Sequence, residues 1–275
     1  MTIRIEDSLE LLSQEEWNKY FSVTLFDEMK IDESSFGISP DVFQNIDKPL
    51  LHELIMLHNN KVGNLHITYA LCMHYFDKGI PDDPWYISPG KNGTSIQYYP
   101  EFEEKHYMRL FWFGYFADAY YLRIQAIWDS IVEILNHYYG LDYEADLRLR
   151  SKVLKWLKDN KSEISNEFQA IMNEAIYKEA QEYRTKAAHG TSPSMIQNIM
   201  KIEKNVETEV PDIDKNGRVK VDENGCVVYK KIIATKRISL TAGDYTSVTT
   251  LKANMENYAL FTGQKIKKII KLMTT

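Results

Sequence analysis

Ile124, Ile127, Trp128, Ile131, Ile134, Leu135 and Tyr138 recur at three- and four-residue spacing, one continuous apolar stripe on a helix. Immediately upstream, Leu110 to Phe116 is apolar almost all round. The spacing predicts one helix over about 105–139, ended by Gly140, whose freedom to adopt a left-handed conformation suits a helix C-terminus. A helix this apolar belongs in the core, and the rest of the chain has to cover it.

The surrounding sequence favours helices for that task. Twelve Gly and 8 Pro against 18 Tyr leave long stretches without punctuation, which speaks against a many-turned β architecture. At 275 residues the chain holds one large domain or two small ones, and 44% hydrophobic with 26% charged residues is an ordinary globular balance. The fold class expected is mainly α.

The helices can be placed coarsely. Residues 8–30 suggest a first helical stretch, with Ser13 and Glu16 spaced as a capping box ahead of Trp17, Tyr20, Phe21 and Leu25. A polar break follows from Ile31 to Pro40. Pro49 is suited to the first helical position, so a helix over about 49–59 and another over about 62–78 are expected. A basic helix over about 144–160 carries Arg148, Arg150, Lys152, Lys155 and Lys158, with Leu147, Val153, Leu154 and Leu157 turned inward. Its cations read as a solvated face or as an RNA contact. One helix over 163–189 and a last one over about 243–273 complete the set.

Two segments depart from the helical pattern. Residues 79–104 are rich in Gly, Pro, Asp and Asn and carry Trp85, Tyr86, Tyr98 and Tyr99, which either pack the loop down or stack on a ligand. Between about 205 and 240, Asn216-Gly217 and Asn224-Gly225 alternate with Val219, Val221, Val227, Val228, Ile232, Ile233 and Ile238. Turn dipeptides among β-branched residues predict a small hairpin or ribbon inserted between helices.

Composition also bounds function. Cys72 and Cys226 lie far apart and form no CxxC pair, so a reduced, cytoplasmic setting is the simpler reading. Residues 1–10 carry Arg4, Glu6, Asp7 and Glu10, and no secretion signal is expected there. No run of 18 apolar residues occurs, so no membrane partner is expected. A formal net charge of −6 argues against broad, nonspecific nucleic-acid affinity. Walker, GxGxxG, HExxH and GxSxG motifs are absent from the sequence, and the pairs His52/His58 and His66/His74 lack carboxylates at metal-ligand spacing. No metal or cofactor is expected.

The most specific stretch is Tyr183-Arg184-Thr185-Lys186-Ala187-Ala188-His189-Gly190, the end of a helix stopped by glycine and followed by Pro193. Arg supplies a permanent forked cation and His a group that exchanges protons near neutral pH, the pair a phosphate needs. On any helix the same two residues also serve as plain C-terminal caps. Five residues of helix set them about 140° apart, so they converge poorly within one chain.

A long helix, a second helix and then a helix ending Arg-x4-His-Gly resemble the HEPN domain (higher eukaryotes and prokaryotes nucleotide-binding). The resemblance covers roughly 105–200 and the final helix. It implies an HEPN-like helical bundle over 105–275, with a β insert at about 205–240. Residues 1–104 are expected to form an additional N-terminal helical region with a long loop. It also implies a metal-independent endoribonuclease, a toxin or defence effector, with Arg184 and His189 as catalytic residues in a homodimer cleft. Thr185 stands where active members often have Asn, Asp or His. The alternative is a non-catalytic module that binds RNA, nucleotide or protein. RNA, a second copy of the chain, and an antitoxin or other protein are the partners implied. Supporting candidates are Thr185, Glu182 and Tyr183 beside the motif and Asp129 on the central helix, which interrupts an apolar region and reads either as a group that orients Arg184 or as a solvated polar position. Arg123 is a lesser candidate on that helix.

Overall fold

The computed structural model of the chain describes residues 9–38 and 49–275. The far end of the expected polar break, at Ser39 and Pro40, lies outside them. Contacts divide the chain into two units, one comprising residues up to 195 and from 246 onward, the other Ile196–Tyr245.

The first unit is helical. Helix α1 (Gln14–Phe21) opens with the expected capping box: Ser13 Oγ accepts from the Glu16 amide, and Glu16 accepts from the Ser13 amide at 2.8 Å. It is shorter than the expected stretch to residue 30, because the chain tightens into 3-10 turns at Thr24–Met29 and Glu33–Phe36. Polar side chains dock it on α2 (Pro49–Asp77). The His66 ring meets the Tyr20 carbonyl at 2.8 Å, His74 meets Glu16 at 2.8 Å, and the Tyr20 hydroxyl donates to Asp77 at 2.8 Å.

Helix α2 begins at the expected proline but runs unbroken, where two helices were expected. Asn59 does not terminate it. Its side chain instead grips the Ile31 backbone, accepting from the amide at 2.9 Å and donating to the carbonyl at 3.0 Å. Buried Leu51, Ile55, His58, Val62, Leu65, Tyr69 and Cys72 keep three- and four-residue spacing through the expected break.

Helix α3 (Glu104–Tyr138) packs along α2 and is the expected core element. Ile124, Ile127, Trp128, Ile131, Ile134 and Leu135 are all buried, each worth about 1.5–3 kcal/mol as apolar area removed from water. Gly140, at φ 59°, ends the helix. Its amide reaches the His137 carbonyl and the Leu141 amide reaches Asn136, the paired bonds of a Schellman cap.

Helix α4 (Leu149–Asn160) turns Leu149, Val153 and Leu157 inward, whereas Leu147, expected on that face, precedes the helix and is fully exposed. The single helix expected over 163–189 is two, α5 (Ser162–Asn173) and α6 (Ala175–His189). Glu174 separates them with an extended ψ of 137°. The apolar pattern carries the reason: Ile171 and Tyr177 are both buried yet six residues apart, which puts them on different faces of one continuous helix. Helix α7 (Val248–Thr274) closes the unit. Its Lys265 and Lys268 hold the buried Glu167 of α5 at 3.0 and 2.5 Å. Among the described residues no helix is long and apolar enough to cross a membrane.

The loop after α2 forms a short antiparallel pair, β1 (Tyr86–Ile87) with β2 (Gln97–Tyr98). Trp85 and Tyr98 stack with centroids 6.2 Å apart, and Tyr99 stacks on Phe102 at 4.4 Å. These aromatics pack on one another.

The second unit is the expected ribbon. Strands β3 (Met200–Pro211) and β4 (Tyr229–Leu240) pair antiparallel, from Met200 opposite Leu240 to Pro211 opposite Tyr229. At the tip, Gly217 and Gly225 both sit at φ 79°, a conformation that glycine adopts without strain.

Candidate functional site

The motif occupies the last two turns of α6. Tyr177, Ala180 and Tyr183 are its buried residues, so Tyr183 is the anchor. Its ring stacks on Tyr121 of α3, centroids 3.9 Å apart and planes 22° from parallel. Its hydroxyl donates to Asp118 Oδ1 at 2.9 Å. Burial pushes the phenol well above its ordinary range, so Tyr183 remains a neutral donor.

Arg184 is half-buried, its Nε enclosed without a hydrogen-bond partner. His189 is exposed at the helix end, and no group among the described residues hydrogen bonds to its ring. The last turn is closed by backbone, the Gly190 amide donating to the Lys186 carbonyl at 2.8 Å. Neither side chain therefore caps the helix. The two diverge by about 140° along α6, as the spacing requires.

The supporting candidates separate. Thr185 donates its hydroxyl to the Gln181 carbonyl of its own helix at 2.8 Å. Glu182 is exposed and pairs with Lys186 at 2.7 Å, one turn on. Asp129 is exposed and lines a cavity of about 640 Å³ with Glu133, Asp146 and Arg150. Along α3 it stands one residue from Trp128, whose ring meets Tyr177, so it lies two turns from the level of Arg184. Arg123 is exposed, its guanidinium 3.5 Å from the Ala119 carbonyl. Arg150, on the basic helix, donates to the Tyr177 hydroxyl at 2.7 Å.

Sequence reasoning missed Asp118, Ser192 and Ser194. The Ser192 hydroxyl donates to Asp118 Oδ1 at 2.6 Å and lies 2.8 Å from the Ser194 hydroxyl. Burial pushes the Asp118 carboxyl up, and the hydrogen bonds from Ser192 and Tyr183 pull it back down. The available signal was an acid beside the almost wholly apolar Leu110–Phe116 run, but nothing in one sequence connects it to a serine 74 positions later.

The histidines are engaged separately. His58 bridges Ser130 and the Met29 carbonyl, both at 2.8 Å, and His52 lies 3.2 Å from Glu33. Among the described residues no three His, Cys, Asp or Glu side chains gather as metal ligands. The ribbon tip reads Asp212-x-Asp214-x-Asn216-Gly217-x5-Glu223, the spacing of a calcium loop. Here Asp212 is held by Lys220 and Lys230 at 2.6 and 3.2 Å, and Asp214 accepts the amides of Asn216 and Arg218.

The family model of Cthe2314-like HEPN proteins matches residues 55–240, a span that takes in most of α2 and the ribbon strands as well as the motif helix. No curated protein and no solved structure matches the chain.

Proposed function

Since the chain belongs to the Cthe2314-like HEPN family, we propose that it is an endoribonuclease whose site is built by two copies, each contributing Arg184 and His189. The observation that carries this reading is that both motif side chains lack a hydrogen-bond partner among the described residues, Arg184 with a buried, unsatisfied Nε. A buried donor without an acceptor costs about 1–3 kcal/mol, a cost that an incoming phosphate oxygen would relieve.

RNA carries its own nucleophile, so the protein has to supply proton transfer and a cation. One His189 takes the proton of the 2′-hydroxyl as that oxygen bonds to phosphorus. The bond from phosphorus to the 5′-oxygen breaks, and the leaving oxygen takes a proton from the second His189. Arg184 holds the nonbridging oxygens. The products are a 2′,3′-cyclic phosphate and a 5′-hydroxyl. A second copy supplies what the angle between Arg184 and His189 denies to one chain. In this reading no metal takes part in the step, and a homodimer is the active form.

The test is cleavage of single-stranded RNA in the presence of chelator. Cleavage with cyclic-phosphate ends, lost in His189→Ala, supports the proposal. Equal cleavage by His189→Ala, or none by the wild type, removes it. The Thr185 hydroxyl, committed to the Gln181 carbonyl, favours a second reading as a non-catalytic RNA-, nucleotide- or protein-binding module. RNA binding that survives His189→Ala and weakens with salt would mark its RNA-binding form.

A further inference from the structure

His189 is the last residue of α6, where helices fray most readily, and among the described residues no side chain holds its ring. Something else has to fix its position. Six residues before it, Tyr183 donates to Asp118 Oδ1. Three residues after it, Ser192 donates to the same oxygen. A single carboxylate oxygen on α3 therefore holds the chain on both sides of His189. We propose that Asp118 is a positioning residue that staples the end of α6 and the segment leaving it, and so fixes His189 for catalysis.

The surroundings are built for this. Tyr183, Ser192 and Ser194 are 6%, 7% and 4% exposed, so water competes weakly for these bonds. The Ser194 amide donates back to Ser192 Oγ at 3.2 Å, and the Met195 amide to the Ser192 carbonyl at 2.9 Å, folding the segment into a turn. Ser194 can sit against α3 because residue 114 is glycine, where an added Cβ would stand 2.6 Å from Ser194 Oγ. The Thr246 amide donates to the Pro193 carbonyl at 3.1 Å, tying the same turn to the start of α7. Between these anchors Lys186, Ala188, His189, Gly190 and Thr191 are exposed. The staple thus fixes a short exposed segment at both ends and leaves the His189 ring free for a ligand.

The inference rests on the proposed ribonuclease for its catalytic part, so its test carries a readout independent of activity. Amide hydrogen exchange is measured across the chain in the wild type, Asp118→Leu, Asp118→Asn and Ser192→Ala. Asp118→Leu should speed exchange at residues 187–191 by at least tenfold while α5 and the central turns of α7 keep their protection. Asp118→Asn keeps an accepting oxygen in place and should restore most of the protection. With RNA, Asp118→Leu should lower kcat at least tenfold and leave KM within twofold. If Asp118→Leu does not fold, Ser192→Ala, which opens only the outgoing side, should show the same pattern more weakly. Unchanged exchange at 187–191, or a uniform loss of protection throughout the chain, overturns the staple. Faster local exchange with unchanged kcat overturns its catalytic role. A wild type that does not cleave RNA counts against the ribonuclease, and exchange alone then decides whether the staple exists.

Discussion

The rings of Tyr121 and Tyr183 lie parallel within 22°, with centroids 3.9 Å apart, and this stack seats the motif helix on the central helix. Removing the ring in Tyr183→Ala should cost about 3–5 kcal/mol, the range for deleting a buried aromatic. Tyr183→Phe keeps the stack and loses the donor to Asp118, so it should cost about 1–3 kcal/mol. Urea unfolding of the three proteins would separate the two contributions. Equal losses for both variants would show that the stack contributes nothing beyond the hydroxyl.

His189→Ala should leave stability unchanged, since the ring is exposed and has no hydrogen-bond partner among the described residues. Its effect should fall on cleavage, by about 10²–10⁴-fold, the usual contribution of a positioned acid or base. Thermal unfolding and RNA cleavage on the same preparation would check this. A large fall in melting temperature would return His189 to the role of helix cap.

His58 predicts an acid-labile core. Burial lowers its pKa from 6.5 to about 4, since the ring sits between Ser130 and the Met29 carbonyl away from water. The folded chain therefore binds fewer protons than the unfolded chain between those values. The stability of the neutral ring is fully present above about pH 6.5 and is lost as pH falls to about 4. The loss should total about 3 kcal/mol at 1.36 kcal/mol per unit. His58→Gln, though less stable at neutral pH, should show a flatter profile over that window. A profile as steep as the wild type would mean that other groups dominate the acid response.

The ribbon should be dispensable for folding of the helical unit. The hydrogen bond from the Thr246 amide to the Pro193 carbonyl brings the two ends of that unit together. Replacing residues 196–245 with a short Gly-Ser linker should keep the melting temperature within a few degrees, because loop closure depends only weakly on loop length. Collapse of the helical circular dichroism signal would contradict this.

Much of the helical frame was legible because local chemistry and burial agree. The Ser13/Glu16 box, Pro49, Gly140 and the Asn-Gly turns each act within a few residues, so spacing alone reveals them. Other features failed where a residue's meaning depends on a distant partner. The break expected after residue 59 is absent, and the Asn59 side chain is engaged instead by the Ile31 backbone, 28 positions away. The break at Glu174 was recoverable from the phase shift between Ile171 and Tyr177, a signal that a uniform reading of 163–189 passes over. For the candidate site, the sequence located Arg184 and His189 but not the Asp118 carboxylate that holds their helix end, because that link spans 74 positions. Asp129 was chosen as an acid on the right helix, yet it stands about two turns from the level of Arg184.

In the proposed ribonuclease two copies form one cleft, each contributing Arg184 and His189. Arg184→Ala and His189→Ala chains, each inactive alone, should be mixed, dissociated and reassociated, then assayed on single-stranded RNA. The mixture should regain part of the wild-type cleavage, well above the sum of the separate variants, because a mixed dimer brings one intact Arg184 and one intact His189 into the cleft and lacks the second His189 as proton donor. A mixture that forms mixed dimers, shown by native mass spectrometry, yet stays as inactive as its components would contradict it.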